Sequence, residues 1–140
     1  MTTAVIDPTE VFVRGHSGLA GLTHHERLVF LLSEFETLMI MEGWDDFFTS
    51  RWAEHYPEMK TGLSLTNDHQ SVAILDDYES HLRTNGVPLE SAAIDSFLAR
   101  QESKYFTTCR DWRDDYLRLS EIRWSKVTSY LKANGITLLA

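Results

Sequence analysis

From Thr23 onward the large apolar residues recur at three- and four-residue spacing, and this period constrains the fold more than any other feature of the chain. Leu28, Leu31, Leu32, Phe35, Leu38 and Met39 make the first stripe, flanked by Glu34 and Glu36. The stripe opens on Thr23 and Glu26, a capping box in which the threonine hydroxyl accepts an orphan backbone N–H and the glutamate reaches back to the cap. A helix with one apolar face must bury it against other elements. The rest of the chain has to supply those walls.

It does so with further helical stripes. Gly43 interrupts the first, and Trp44, Phe47, Phe48 and Trp52 resume it, which predicts a second, shorter helix ending before Pro57. A polar stretch runs from Glu58 to Leu65. A third helix is expected to start at Thr66 or Asn67, carry Val72, Ile74, Leu75, Tyr78 and Leu82, and stop at Asn85-Gly86. Pro88 suits the first turn of a fourth, with Leu89, Ala93, Ile94, Phe97 and Leu98. An unbroken helix from there to Asn134 would be roughly 70 Å long, so a break near Gln101 to Lys104 is expected. The fifth and longest helix then runs from Tyr105 through Cys109, Trp112, Tyr116, Leu119, Val127, Tyr130 and Leu131 to Asn134-Gly135, with Asp114 and Arg118 spaced for a helical ion pair.

No period-2 run bounded by turns stands out. The reading is an all-α, single-domain bundle of about five helices over residues 23–136. Residues 1–22, with Pro8 and three glycines, form an irregular N-terminal arm with one helical turn begun at Pro8, and residues 137–140 form a short tail. At 140 residues and 43% hydrophobic content, one core is expected.

Net charge is −8, but it is unevenly spread. Residues 1–103 carry 17 acids against 6 bases, whereas residues 104–140 carry 4 acids against 7 bases. An acidic body disfavours direct nucleic-acid binding, because phosphate contact needs a basic face. The start, MTTAVIDPTEVF, lacks a basic segment ahead of a long apolar run, and no stretch has the roughly 20 apolar residues of a bilayer span. A cytoplasmic protein of bacterial type is therefore expected.

The residue patterns that could suggest catalysis or metal binding have plainer structural readings. His24 and His25 are adjacent, so on a helix their side chains diverge, and Glu26 is already used as a cap. Asp77 and His81, four apart, form a solvated pair more often than a chelate. Cys109 on an apolar stripe reads as a small core residue. RGHSGLAG, Arg14 to Gly21, lacks the glycine order of a phosphate loop. In WRDDYLR, Trp112 and Tyr116 belong to the core and the charged residues to the surface. No catalytic group, cofactor or metal is assigned.

The acids Glu42, Asp45, Asp46, Glu54 and Glu58 gather around the Gly43 corner, and Asp76, Asp77 and Glu79 on the third helix. Charge runs are most often solvated faces. Carboxylates spaced along helices can also imitate the negative field of a phosphate backbone and attract a basic protein.

Two stretches, ETLMIMEGWDDFFTS (Glu36 to Ser50) and RWSKVTSYLKANGI (Arg123 to Ile136), carry a likeness to a known family. An apolar helix with an early acid, a corner of the kind Gly-Gly-Phe-x-Gln-Phe-Phe and a late helix ending in Tyr-Leu before Asn-Gly resemble the bacterial DNA-mimic protein family, over roughly Thr23 to Ile136. Gly43, Phe47 and Phe48 match; Glu42 stands for the first glycine, Trp44 for the aromatic Phe, and Asp46 for the Gln. The resemblance implies one helical domain, able to pair as a homodimer, with an acidic surface that competes with DNA for a DNA-binding protein. The expected partner surface is Glu42, Asp45, Asp46, Asp76, Asp77 and Glu79, around a structural hinge of Gly43, Trp44, Phe47 and Phe48. The protein is thus read as a non-enzymatic interaction domain for a basic or DNA-binding protein. The alternative is a small enzyme or ligand-binding bundle with a pocket between the Gly43 corner and the last helix, drawing on Trp44, His55, Tyr105 and Arg113.

Overall fold

The capping box at the head of the first stripe forms as its residues require: Glu26 N donates to Thr23 Oγ1 at 3.2 Å and Thr23 N to Glu26 Oε1 at 2.9 Å. The computed structural model describes the backbone of residues 4–100 and 103–140 and the side chains of residues 4–100 and 111–140. The elements in chain order are β1 (Ala4–Ile6), α1 (Pro8–Gly15), α2 (His24–Met41), α3 (Asp46–Thr49), a 3₁₀ turn (Ala53–His55), α4 (Tyr56–Leu65), α5 (His69–Thr84), α6 (Ser91–Ala99), α7 (Ser103–Arg118), α8 (Ser120–Ala133) and β2 (Ile136–Leu138). The all-α class holds, with eight α-helices rather than about five among the described residues.

α2 is the central helix. Leu28 through Leu32 are buried in succession and Phe35 and Met39 are fully enclosed, so more than one face is covered, unlike the single stripe expected. α1 supplies one wall. Its Gly15 lies against the Phe30 ring so closely that a Cβ would stand 2.3 Å from Cδ2. Glu34, expected on a flank, is buried by the same packing, with His16 Nε2 2.7 Å from its Oε2.

The departures in helix number have local causes. The helix expected from Trp44 to Pro57 stops at Thr49, because the Ser50 hydroxyl donates to Phe47 O and accepts from Trp52 N, and Ser50 is extended. Pro57 then sits in the first turn of α4, where its missing N–H is no loss. The polar stretch from Glu58 to Leu65 is helical. The cap of α5 falls on Asp68, whose Oδ1 accepts from Ser71 N at 3.1 Å. Thr66 instead donates back to Leu63 O, and Asn67 takes the left-handed conformation, φ 62°. Pro88 lies in the loop before α6, following a turn closed by Val87 N to Leu82 O at 2.9 Å.

The long last helix is two helices. At Leu119 the ladder tightens, with Leu119 N donating to Tyr116 O at 3.1 Å, and the Tyr116 carbonyl also accepts from Arg123 Nη2 at 3.0 Å. A buried guanidinium thereby supports the break. Arg118 pairs with Asp115 at 2.8 Å and Asp114 with Arg113, not with each other as the spacing predicts.

The N-terminal arm is structured: α1 is capped by Asp7, and β1 pairs in parallel with β2, Ala4 opposite Ile136 and Ile6 opposite Leu138. Part of the expected tail is therefore strand. Three-residue strands joined from opposite chain ends leave no local period to read. The side chain of Cys109 lies outside the described residues, as does the stretch Gln101–Glu102. No helix among the described residues is long and apolar enough to cross a membrane.

Candidate functional site

The corner after α2 is built on its backbone. Both Glu42 N and Gly43 N return to Leu38 O, at 2.8 and 3.1 Å, and Gly43 then takes φ +130°, which a side chain would resist. The chain reverses, and Trp44, Phe47 and Phe48 turn inward, each at most 2% exposed. Their rings surround Phe35, with centroids 5.4, 5.1 and 5.6 Å away. Such edge and tilted contacts add to the stabilisation from burial.

α5 and α7 complete the aromatic wall. Trp44, Tyr78 and Trp112 lie within 6.1 Å of one another by ring centroid. Two polar ring atoms of this cluster reach its edge: Tyr78 Oη donates to Asp45 Oδ1 at 3.0 Å and Trp112 Nε1 to Asp77 Oδ2 at 2.8 Å. Asp45 and Asp77, from different elements, thus share one aromatic platform. His81 faces Trp112, ring to ring at 5.2 Å, and so does not form the expected pair with Asp77.

Glu42 is exposed and Asp46 half-buried on the same corner. Partial burial, with the charges of Glu42 and Asp45 beside it, raises the Asp46 pKa above its ordinary value. Asp76 and Glu79 are oriented elsewhere. Both grip Lys60 of α4, Asp76 Oδ1 at 2.5 Å, and Glu79 also accepts from the buried Tyr56 hydroxyl at 2.8 Å. Burial opposes the Lys60 charge, but the hydrogen bonds it donates to the two carboxylates outweigh it and raise its pKa. Of the six acids expected at the partner surface, Asp76 and Glu79 are therefore engaged within the fold by a cation.

A polar junction that sequence reasoning missed joins α2, α5, α7 and α8. Arg123 is fully buried, donates from Nε and Nη2 to Glu36 Oε1 at 3.0 and 2.7 Å, and from Nη1 to Ser71 Oγ at 2.9 Å. Ser71 Oγ donates to Asp68 Oδ2 at 2.6 Å, and Ser120 and Trp124 also donate to Glu36. The guanidinium lies 3.6 Å from the centroid of Tyr116. One signal was available: Arg123 stands seven residues after Tyr116 and four before Val127, on the stripe of the buried face.

Trp44, His55 and Arg113, the described residues of the enzyme alternative, are engaged separately. Trp44 is core, His55 stands 3.5 Å from Glu54, and Arg113 pairs with Asp114. The side chain of Tyr105 lies outside the described residues. Surface grooves of about 360 to 440 Å³ occur beside Lys126, Arg51 and Lys60, and none of these is lined by Trp44, His55 or Arg113. Among the described residues no group of three His, Cys, Asp or Glu could hold a metal ion, and His24 and His25 face each other at 5.4 Å.

The family model described as DMP19-like protein matches residues 20–134, most of the chain. The chain belongs to the DMP19-like family. The resemblance to DNA-mimic proteins read from the corner and the last helix is thereby borne out. The DMP19-like segment runs from α2 through α8, and β1, α1 and β2 lie beyond it. No curated protein and no solved structure matches the chain.

Proposed function

We propose that this protein is a non-enzymatic acidic interaction domain, a DNA mimic whose corner engages a basic or DNA-binding protein. The observation that carries the reading is membership of the DMP19-like family, taken together with the convergence of Asp45 and Asp77 on one aromatic platform and the charges of Glu42 and Asp45 beside Asp46. Glu42 and Asp46 have no cation within 4 Å among the described residues. Uncompensated carboxylates on a fixed scaffold project a negative field toward a basic surface and speed encounter with it. Asp76 and Glu79 contribute less, since Lys60 neutralises part of their charge. No observation favours the enzyme alternative.

The test is capture on the immobilised protein from a lysate of its own cell at low salt, followed by elution with duplex DNA. Release of a basic protein by the duplex is the expected result. Recovery of no basic protein, or of one that duplex DNA does not displace, would overturn the DNA-mimic reading.

A further inference from the structure

The corner acids do not stand alone. Immediately before Glu42, at the end of α2, Ile40 is 62% exposed and Met41 73%. Among the described residues only Val13 joins them above 60%, so two of the three most exposed large hydrophobics are neighbours in sequence and border the acids. The rest of α2 has more buried residues than any other helix among the described residues, and its end emerges from the core just where the Gly43 turn begins. Ile40 follows Glu36 by one helical turn on the same face, and Glu36 is already occupied by Ser120, Arg123 and Trp124. Nothing among the described residues covers the two side chains beyond it. Single exposed apolar residues are ordinary, but an apolar pair rimmed by charge has the anatomy of an interface centre.

Resting on the acidic-interaction reading, we infer that Ile40 and Met41 form an apolar anchor at the centre of the partner-binding surface, with Glu42, Asp45 and Asp46 as its charged rim. The partner is then a basic protein surface on which an apolar side chain is ringed by Lys or Arg. Charge complementarity selects it: the acidic rim repels anionic surfaces, including acidic membranes and nucleic acid, while the flexible thioether of Met41 can adapt to an apolar knob. A phosphate backbone presents no such anchor, so this contact would go beyond what DNA offers the same partner. Its consequence is a split in salt response. The rim's attraction fades as ionic strength rises, whereas the anchor's does not.

Two synthetic peptides of equal positive charge test this, an oligolysine and an amphipathic lysine–leucine helix. Binding is titrated by tryptophan fluorescence at about 50 and about 500 mM salt, where the screening length is respectively longer and shorter than the roughly 10 Å of 0.1 M salt. The proteins are the full chain, its Ile40→Gln/Met41→Gln variant and its Glu42→Gln/Asp46→Asn variant. The amphipathic peptide should bind the unaltered chain at both salt levels and lose about tenfold in affinity for the Ile40/Met41 variant. Oligolysine binding, seen only at low salt, should be unchanged by that variant and weakened by the charge variant. If the Ile40/Met41 variant binds the amphipathic peptide as well as the unaltered chain does, the anchor is wrong and the acidic surface stands. If neither peptide binds the unaltered chain at low salt, the acidic reading itself fails. Ile40, Met41 and Glu42 are exposed and Asp46 is half-buried, and a cooperative melting transition no lower than that of the unaltered chain confirms that the fold is intact in each variant.

Discussion

At the junction of α2 with α8, the carboxylate of Glu36 receives hydrogen bonds from Arg123, Ser120 and Trp124; at the corner after α2, the carboxylates of Glu42 and Asp46 meet no cation among the described residues. Both regions sit against the same aromatic core, and Tyr116 borders each of them through its contacts with Arg123 and Trp44. The difference lies in what surrounds the charge. Inside, a buried guanidinium requires its donors to be matched, and three helices provide the acceptors. At the rim, partial burial and then the like charges of Glu42 and Asp45 push the Asp46 carboxyl toward its protonated form. The first arrangement serves packing. The second disfavours the folded state at neutral pH, so it does not serve packing.

The largest expected effect comes from breaking the interior pair. Arg123→Ala leaves the Glu36 carboxylate without its cation, with only the neutral donors Ser120 and Trp124, and should cost about 3 to 5 kcal/mol in urea unfolding. Converting both members, Arg123→Met with Glu36→Leu, should recover part of that loss, because two apolar side chains of similar size need no compensation. Full additivity of the two single changes would show that the pair is not coupled.

The corner depends instead on neutral packing. Phe48→Ala removes a ring that touches Phe35, Trp44, Tyr56 and Tyr78, and should cost about 3 to 5 kcal/mol. Near-native melting would mean that the ring is not core. Gly43→Ala meets no neighbouring atom, so its cost comes from the backbone alone, about 1 to 2 kcal/mol at φ +130°. A loss comparable to that of Phe48→Ala would show that the turn is enclosed after all.

The smallest effect has the opposite sign. A carboxyl whose pKa is raised by folding binds its proton more tightly in the native state, so its contribution favours folding at low pH and is lost as pH rises through the folded pKa. Asp46→Asn should therefore raise the melting temperature slightly at neutral pH. That gain should shrink to nothing below the ordinary aspartate value of 3.8. A neutral-pH melting temperature below that of the unaltered chain would show that the Asp46 charge is compensated.

Much of the helical content was legible locally. Thr23 with Glu26, Asn85-Gly86 and Asn134-Gly135 mark real helix ends, since caps and left-handed turns depend on residues only a few positions apart. Trp44, Phe47, Phe48, Trp112 and Tyr116 were placed in the core by the same helical period. The Ser50 break, the Leu119 break and the strand pairing of the two termini were not legible, because each is completed by a partner that local periodicity does not name.

The candidate site shows the same division. That acids cluster at the corner and on α5 is a property of composition and order. Which of them face a common platform depends on the rotation of α5 about its axis: Asp77 turns toward Trp112 on α7, whereas Asp76 and Glu79 turn toward Lys60 on α4. Sequence by itself determined the helical class, the Thr23–Glu26 cap, the glycine corner and the acidic excess, because these follow from near-neighbour sterics, hydrogen bonding and residue count. Tertiary structure alone decided which charges are neutralised and which remain available. Arg123 and Glu36 lie 87 positions apart, and only the packing of α8 against α2 brings a guanidinium to that carboxylate while leaving Ile40, Met41 and Glu42 at the surface.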